Sequence, residues 1–183
     1  MPSGVRSAVW LTVTAVASLI ALVAASSAPA APHVVDCALS AQSGMTQFDE
    51  DRDYVRGPFS LVTLARLMPR LSQASYLPRD GRLKGIKLPV GLRAGHTATL
   101  RIHPGQRRHA ALLYGLQPTY TDHSVLAGDA AVTFKPCAAD TAGPVTAWAG
   151  ALNVTGPGCI RLQVLTDGAR RRDIRLPLGR PCR

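Results

Sequence analysis

Residues 159–176 read Cys-Ile-Arg-Leu-Gln-Val-Leu-Thr-Asp-Gly-Ala-Arg-Arg-Arg-Asp-Ile-Arg-Leu. Ile160, Leu162 and Val164 alternate with Arg161 and Gln163, and after Asp167-Gly168 the same period of two returns at Asp173-Ile174-Arg175-Leu176. Successive side chains of a strand point to opposite faces, so this alternation describes a strand with one buried and one wet side. Asp-Gly between two such runs is a hairpin signal, because its first residue tolerates and its second favours positive φ. The stretch therefore predicts two antiparallel strands lining one side of a core.

The same pattern recurs upstream. Ala98, Leu100 and Ile102 alternate with Thr99 and Arg101, and Arg93-Ala94-Gly95 separates residues 88–92 from 96–102. Thr155-Gly156-Pro157-Gly158 separates residues 147–154 from 159–165. With residues 110–114 and 130–135 the count reaches about seven strands. Prolines recur from Pro58 to Pro177, most of them 8 to 15 residues apart. That spacing admits short strands and excludes long helices, since proline blocks a helix interior. An all-β fold, an antiparallel β-sandwich of immunoglobulin-like type, packs such a pattern economically. Residues 59–74 suit a helix through Leu61, Leu64, Leu67, Met68 and Leu71, but Pro69 opposes one, and the reading leans to a strand. The expected domains are a signal or anchor at 1–30, an extended lead-in at 31–53 and the sandwich at 54–183.

The N-terminus carries the localisation reading. Arg6 precedes residues 8–25, eighteen residues without a charge, and Ala28-Pro29-Ala30 fits the small-x-small pattern of a signal-peptidase site. The alternative is an uncleaved anchor, because eighteen apolar residues just span a hydrocarbon core of about 30 Å. Membrane contact is then expected only through residues 8–25. Either way the rest of the chain is expected outside the cytoplasm, extracellular or at the outer face of the membrane. Four cysteines, Cys37, Cys137, Cys159 and Cys182, agree with an oxidising compartment and two disulfides. Spacings of this length do not suit zinc, which favours close cysteine pairs. Three pairings are open, and the favoured one joins Cys137 to Cys159 and Cys37 to Cys182, stapling the chain's ends.

The formal charge is +10, and 18 of the 21 basic residues are arginine. They group at Arg79, Arg82, Lys84 and Lys87, at Arg107 and Arg108, and at Arg170, Arg171, Arg172 and Arg175. The last group is the candidate anion-binding site. An exported protein without an aromatic stacking platform is not expected to bind nucleic acid. The favoured reading is a solvated, arginine-rich surface that reflects high-GC composition, and the functional alternative is a patch for an anionic cell-envelope polymer or lipid head groups. Asp49, Glu50, Asp51 and Asp53 lack the glycine and closing Glu of a calcium loop and read as a solvated charge run. His103 and His109 flank a Pro-Gly turn, with no carboxylate nearby and two arginines between them, so no metal is expected. Asp122-His123-Ser124 are adjacent in sequence, whereas a catalytic triad converges from separate segments. No catalytic residue, cofactor or metal ligand is expected. A small secreted enzyme with its site at strand-end loops is the alternative from another class. Trp148 reads as core, and Asn153-Val154-Thr155 matches a glycosylation sequon.

Several stretches carry a resemblance: Gly57-Pro58-Phe59, Val90-Gly91-Leu92-Arg93-Ala94-Gly95-His96, Ala111-Leu112-Leu113-Tyr114-Gly115, Val132-Thr133-Phe134-Lys135-Pro136-Cys137, Trp148-Ala149-Gly150, Gly156-Pro157-Gly158-Cys159 and Pro177-Leu178-Gly179-Arg180-Pro181-Cys182. On these the chain resembles uncharacterised exported proteins of high-GC actinobacteria, streptomycete-like, with four cysteines. The resemblance implies export and architecture, and carries over no activity or site residue. The function expected is thus a non-catalytic exported sandwich acting in envelope binding or adhesion.

Overall fold

The computed structural model describes residues 31–39, 45–74, 84–115, 127–167 and 171–182. The expected signal or anchor segment, Arg170 and Asp122-His123-Ser124 lie outside the described residues. The described residues belong to one compact unit, Ala31–Arg183. It contains, in chain order, β1 (His33–Val35), β2 (Tyr54–Arg56), β3 (Phe59–Leu61), α1 (Leu64–Leu71), β4 (Lys84–Lys87), β5 (Val90–Arg93), β6 (Ala98–Ile102), β7 (Ala110–Tyr114), β8 (Ala131–Phe134), α2 (Ala139–Ala142), β9 (Val145–Trp148), β10 (Gly150–Val154), β11 (Gly158–Thr166) and β12 (Arg172–Leu178). Among the described residues this is a mostly-β fold with no closed barrel.

The hairpin expected from residues 159–176 is β11 and β12, with Leu162 opposite Ile174 and Ile160 opposite Leu176. The sheet continues in the order β1-β8-β6-β11-β12. Ala98, Leu100 and Ile102 on β6, Ile160, Leu162 and Val164 on β11, and Ile174, Leu176 and Leu178 on β12 are all buried, as period-two alternation requires. The expectation of an all-antiparallel fold is corrected at one edge, where β1 runs parallel to β8.

The remaining strands form a four-stranded array, β2-β3-β5-β9, and a three-stranded array, β4-β10-β7. The pairing of Lys87 with Ala151 and of Val90 with Trp148 keeps one register across both. The two arrays are therefore successive stretches of one ladder, interrupted at Pro89 and Ala149. Pro89 has no N–H to give the ladder, and Leu88 N–H restores it by donating to Gly150 O at 2.8 Å. Residues 147–154, expected as a single strand, change arrays at Ala149. The count of about seven is likewise corrected to twelve among the described residues, several only three or four residues long.

Residues 59–74 are part strand and part helix. Thr63, at φ 61°, turns the chain out of β3, and its N–H donates to Asp53 Oδ1 at 2.7 Å. Helical spacing then buries Leu64 and Leu71 and half-buries Leu67 and Met68, which pack on the core. Pro69 sits inside α1, and Gly179 N–H donates to Leu71 O, joining the helix end to the chain just past β12. Asp53 is 4% exposed and accepts from Thr63 and from Asp49 N–H, so the acidic run is not wholly solvated. Its last carboxylate satisfies backbone donors inside the fold.

Three aromatic rings mark the centre. Tyr114 meets Phe134 edge-on at 4.9 Å, and Phe134 meets Trp148 at 5.3 Å. Trp148 is buried, as expected, and its indole N–H donates to Asp36 O at 2.8 Å. The Tyr114 hydroxyl donates to Leu88 O, and its ring lies across Gly150, where an added Cβ would fall 2.0 Å from Cε1. Asn153 of the sequon is 2% exposed within β10, with its side-chain oxygen unpartnered. No glycan fits there in the folded chain.

Both disulfides form, but not in the favoured pairing: Cys37 joins Cys137 and Cys159 joins Cys182. The parallel pairing of β1 with β8 brings Cys37 beside Cys137, since Val35 lies opposite Phe134. The β11–β12 hairpin sets Cys159 opposite Pro177, and Cys182 follows four residues past the end of β12.

Candidate anion-binding site

The face of the β6-β11-β12 region away from the core carries the odd-numbered residues, with Gln163 among them buried. Backbone register places Arg101 opposite Gln163 and Gln163 opposite Asp173, and it places Arg161 opposite Arg175. Arg161 N–H donates to Gln106 Oε1 at 2.7 Å and its carbonyl accepts from His103 N–H at 2.9 Å. Both groups thus point toward the β6 side. Facing β12, Arg161 and Arg175 form a non-hydrogen-bonded pair, the closer of the two antiparallel spacings, with Cα atoms about 4.5 Å apart.

One carboxylate serves this face. Asp173 Oδ2 accepts from Arg161 Nη2 at 2.7 Å, and Oδ1 accepts from Gln163 Nε2 at 3.0 Å and lies 3.7 Å from Arg171 Nε. Gln163 in turn accepts from Arg101 Nε at 2.8 Å. The Arg161 hydrogen bond, helped by Gln163 and the charges of Arg161 and Arg171, holds the Asp173 carboxyl below its ordinary range against some desolvation. Asp173 thus serves Arg161 and Arg171 directly, Arg101 reaches it only through Gln163, and Arg175 has no acid among the described residues.

A groove of about 670 Å³ opens beside this network, lined by Tyr54, Arg56, Arg171, Arg172 and Asp173. Arg56 lies over the Tyr54 ring at 4.1 Å, a cation–π contact that holds its guanidinium in place. Of the candidate residues named from sequence, Arg171 and Arg172 meet in this groove and Arg175 stands on the neighbouring face. Arg56, Arg101 and Arg161 were missed. The alternation around Arg161 and Arg175 was the available signal, because it sets both on the wet side of adjacent strands.

His103 and His109 do not converge. His103 Nδ1 accepts from Gly105 N–H at 3.3 Å across the Pro-Gly turn, while His109 lies near Thr155 Oγ1 at 3.5 Å. His109 lines a cleft of about 470 Å³ with Gln106, Thr155, Cys159 and Arg180, without His103. No local pattern in the sequence announces the hydrogen bond between His33 Nδ1 and Asp129 Oδ2 at 2.8 Å. Among the described residues no group of three or more His, Cys, Asp or Glu could hold a metal, and no helix is long and apolar enough to cross a membrane. Comparisons with family models, curated proteins and solved structures found no match to this chain.

Proposed function

We propose that the chain is an exported, non-catalytic β-sandwich that docks on a phosphate-bearing anionic polymer of the cell envelope through the groove and face around β12. The observation that carries this reading is the set of five arginines, Arg56, Arg161, Arg171, Arg172 and Arg175, gathered beside one carboxylate. Arginine suits phosphate because its planar fork donates two parallel hydrogen bonds. The continuous register through β4–β5 and β9–β10 supports two five-stranded layers. The uncharged segment at residues 8–25, the two disulfides and the resemblance to exported actinobacterial proteins support a location outside the cytoplasm.

Retention of the oxidised protein on immobilised long-chain polyphosphate, measured across a salt series, tests this. Binding should weaken steeply with salt as counterions return to the polymer. Arg56→Ala with Arg172→Ala should flatten the salt dependence and lower retention. Retention unchanged by the double substitution refutes the reading. Binding to phosphatidylglycerol vesicles but not to polyphosphate moves the target from polymer to membrane.

A further inference from the structure

We infer that the cross-strand pair Arg161–Arg175 is a clamp for one phosphate or phosphodiester group, a discrete site within the basic face. The inference rests on the envelope-binding reading for its biological setting and on separate geometry for its chemistry. Like charges directly opposite each other on neighbouring strands destabilise a sheet, and here they occupy the closer kind of antiparallel pair. The nearby acid does not resolve the conflict. Asp173 already accepts from Arg161 and Gln163 and faces Arg171, which leaves Arg175 exposed with no acid of its own among the described residues. Arg161, meanwhile, is held in place. Its guanidinium is tied to Asp173, which is fixed by Gln163, which is fixed by Arg101. Its Nε is sealed from solvent and closed to an incoming anion, but the side chain as a whole is 38% exposed, which leaves the terminal Nη donors that Asp173 does not take.

One positioned arginine and one free arginine on directly opposite backbone positions suit an oxyanion that accepts from both. A tetrahedral phosphate presents oxygens to each fork, and a diester keeps two unesterified oxygens for the purpose. Chloride offers no such geometry. Lysine in place of Arg175 keeps the charge and loses the fork.

The test titrates the oxidised protein with inorganic phosphate, with dimethyl phosphate and with sodium chloride at matched ionic strength. The arginine Nε–Hε resonances are followed by NMR. Phosphate and dimethyl phosphate should saturate a single site that moves Arg161 and Arg175 together, and chloride should not. Arg175→Gln should weaken the binding about tenfold or more, and Arg175→Lys should recover only part of it. Arg175 is exposed, so neither variant threatens the fold. Non-saturating shifts equal to those in chloride, or saturation unaltered in Arg175→Gln, overturn the clamp. Saturable phosphate binding by a protein that ignores polyphosphate upholds the clamp and refutes the envelope reading. Polyphosphate retention without saturable phosphate binding does the reverse.

Discussion

Replacing Gly150 by alanine tests the packing at the centre of the fold. Gly150 lies directly opposite Tyr114, and an added Cβ would sit 2.0 Å from Cε1 and 2.2 Å from Cδ1 of the tyrosine ring. Neither atom is the end of a flexible chain. The ring is buried, wedged against Phe134 and tied by its hydroxyl to Leu88 O. It must move, and moving it strains the core by about 1–3 kcal/mol. Losing the bond to Leu88 adds about 1 kcal/mol. The sum, about 3 kcal/mol, lowers the melting temperature by roughly 6–12 °C for a domain of this size. Tyr114→Phe keeps the ring and should cost only the hydrogen bond, about 1 kcal/mol. The decisive measurement is a double-mutant cycle by urea denaturation. With Tyr114→Ala in place the obstruction is gone, and Gly150→Ala should become neutral or stabilising by about 0.5–1 kcal/mol, because alanine restricts the unfolded chain more than glycine. A cost for Gly150→Ala that persists in the Tyr114→Ala background refutes the argument from ring contact.

The Asp173 network and the disulfides make two further outcomes testable. Because Asp173 titrates below its unfolded value, its contribution to stability is present above an ordinary aspartate pKa of about 3.9 and disappears as pH falls through the lower folded value. Asp173→Asn should therefore lower the urea midpoint at pH 7, with the gap to the parent narrowing as the pH falls below about 3.9, and a gap that stays constant through acid counts against it. Replacing Cys37 and Cys137 by serine opens a loop of 100 residues and should cost about 4.7 kcal/mol, whereas replacing Cys159 and Cys182 opens one of 23 and should cost about 3.4 kcal/mol. Equal losses, or a peptide map joining Cys137 to Cys159, contradict the pairing.

The parts of the fold legible in sequence were those whose information is local. Ile160, Leu162 and Val164 announce β11 because alternation over several residues is a strong signal. His33–Val35 and Lys84–Lys87 are too short to alternate convincingly, and they become strands only through their partners β8 and β10. The parallel neighbour of β8 lies about 100 residues away, so nothing local announces it. Cysteine pairing failed for the same reason, since spacing carries no record of which strands become neighbours. Pro69 weighed too heavily against α1, whose tertiary packing through Leu64 and Leu71 outweighs one missing hydrogen bond. The arginine cluster at residues 170–175 was visible as composition. Arg161 and Arg56 join it only across strands, through the β11–β12 register and the groove beside β2.

The order of the disulfides along the chain has a consequence for biogenesis. The first cysteine pairs with the second and the third with the fourth, so the two covalent loops succeed one another without interlocking. A chain threaded N-terminus first exposes Cys37 and Cys137 as a complete native pair before Cys159 emerges. An oxidant that simply joins cysteines in the order they arrive would produce the native bonds, and no isomerase would be needed to undo a wrong one.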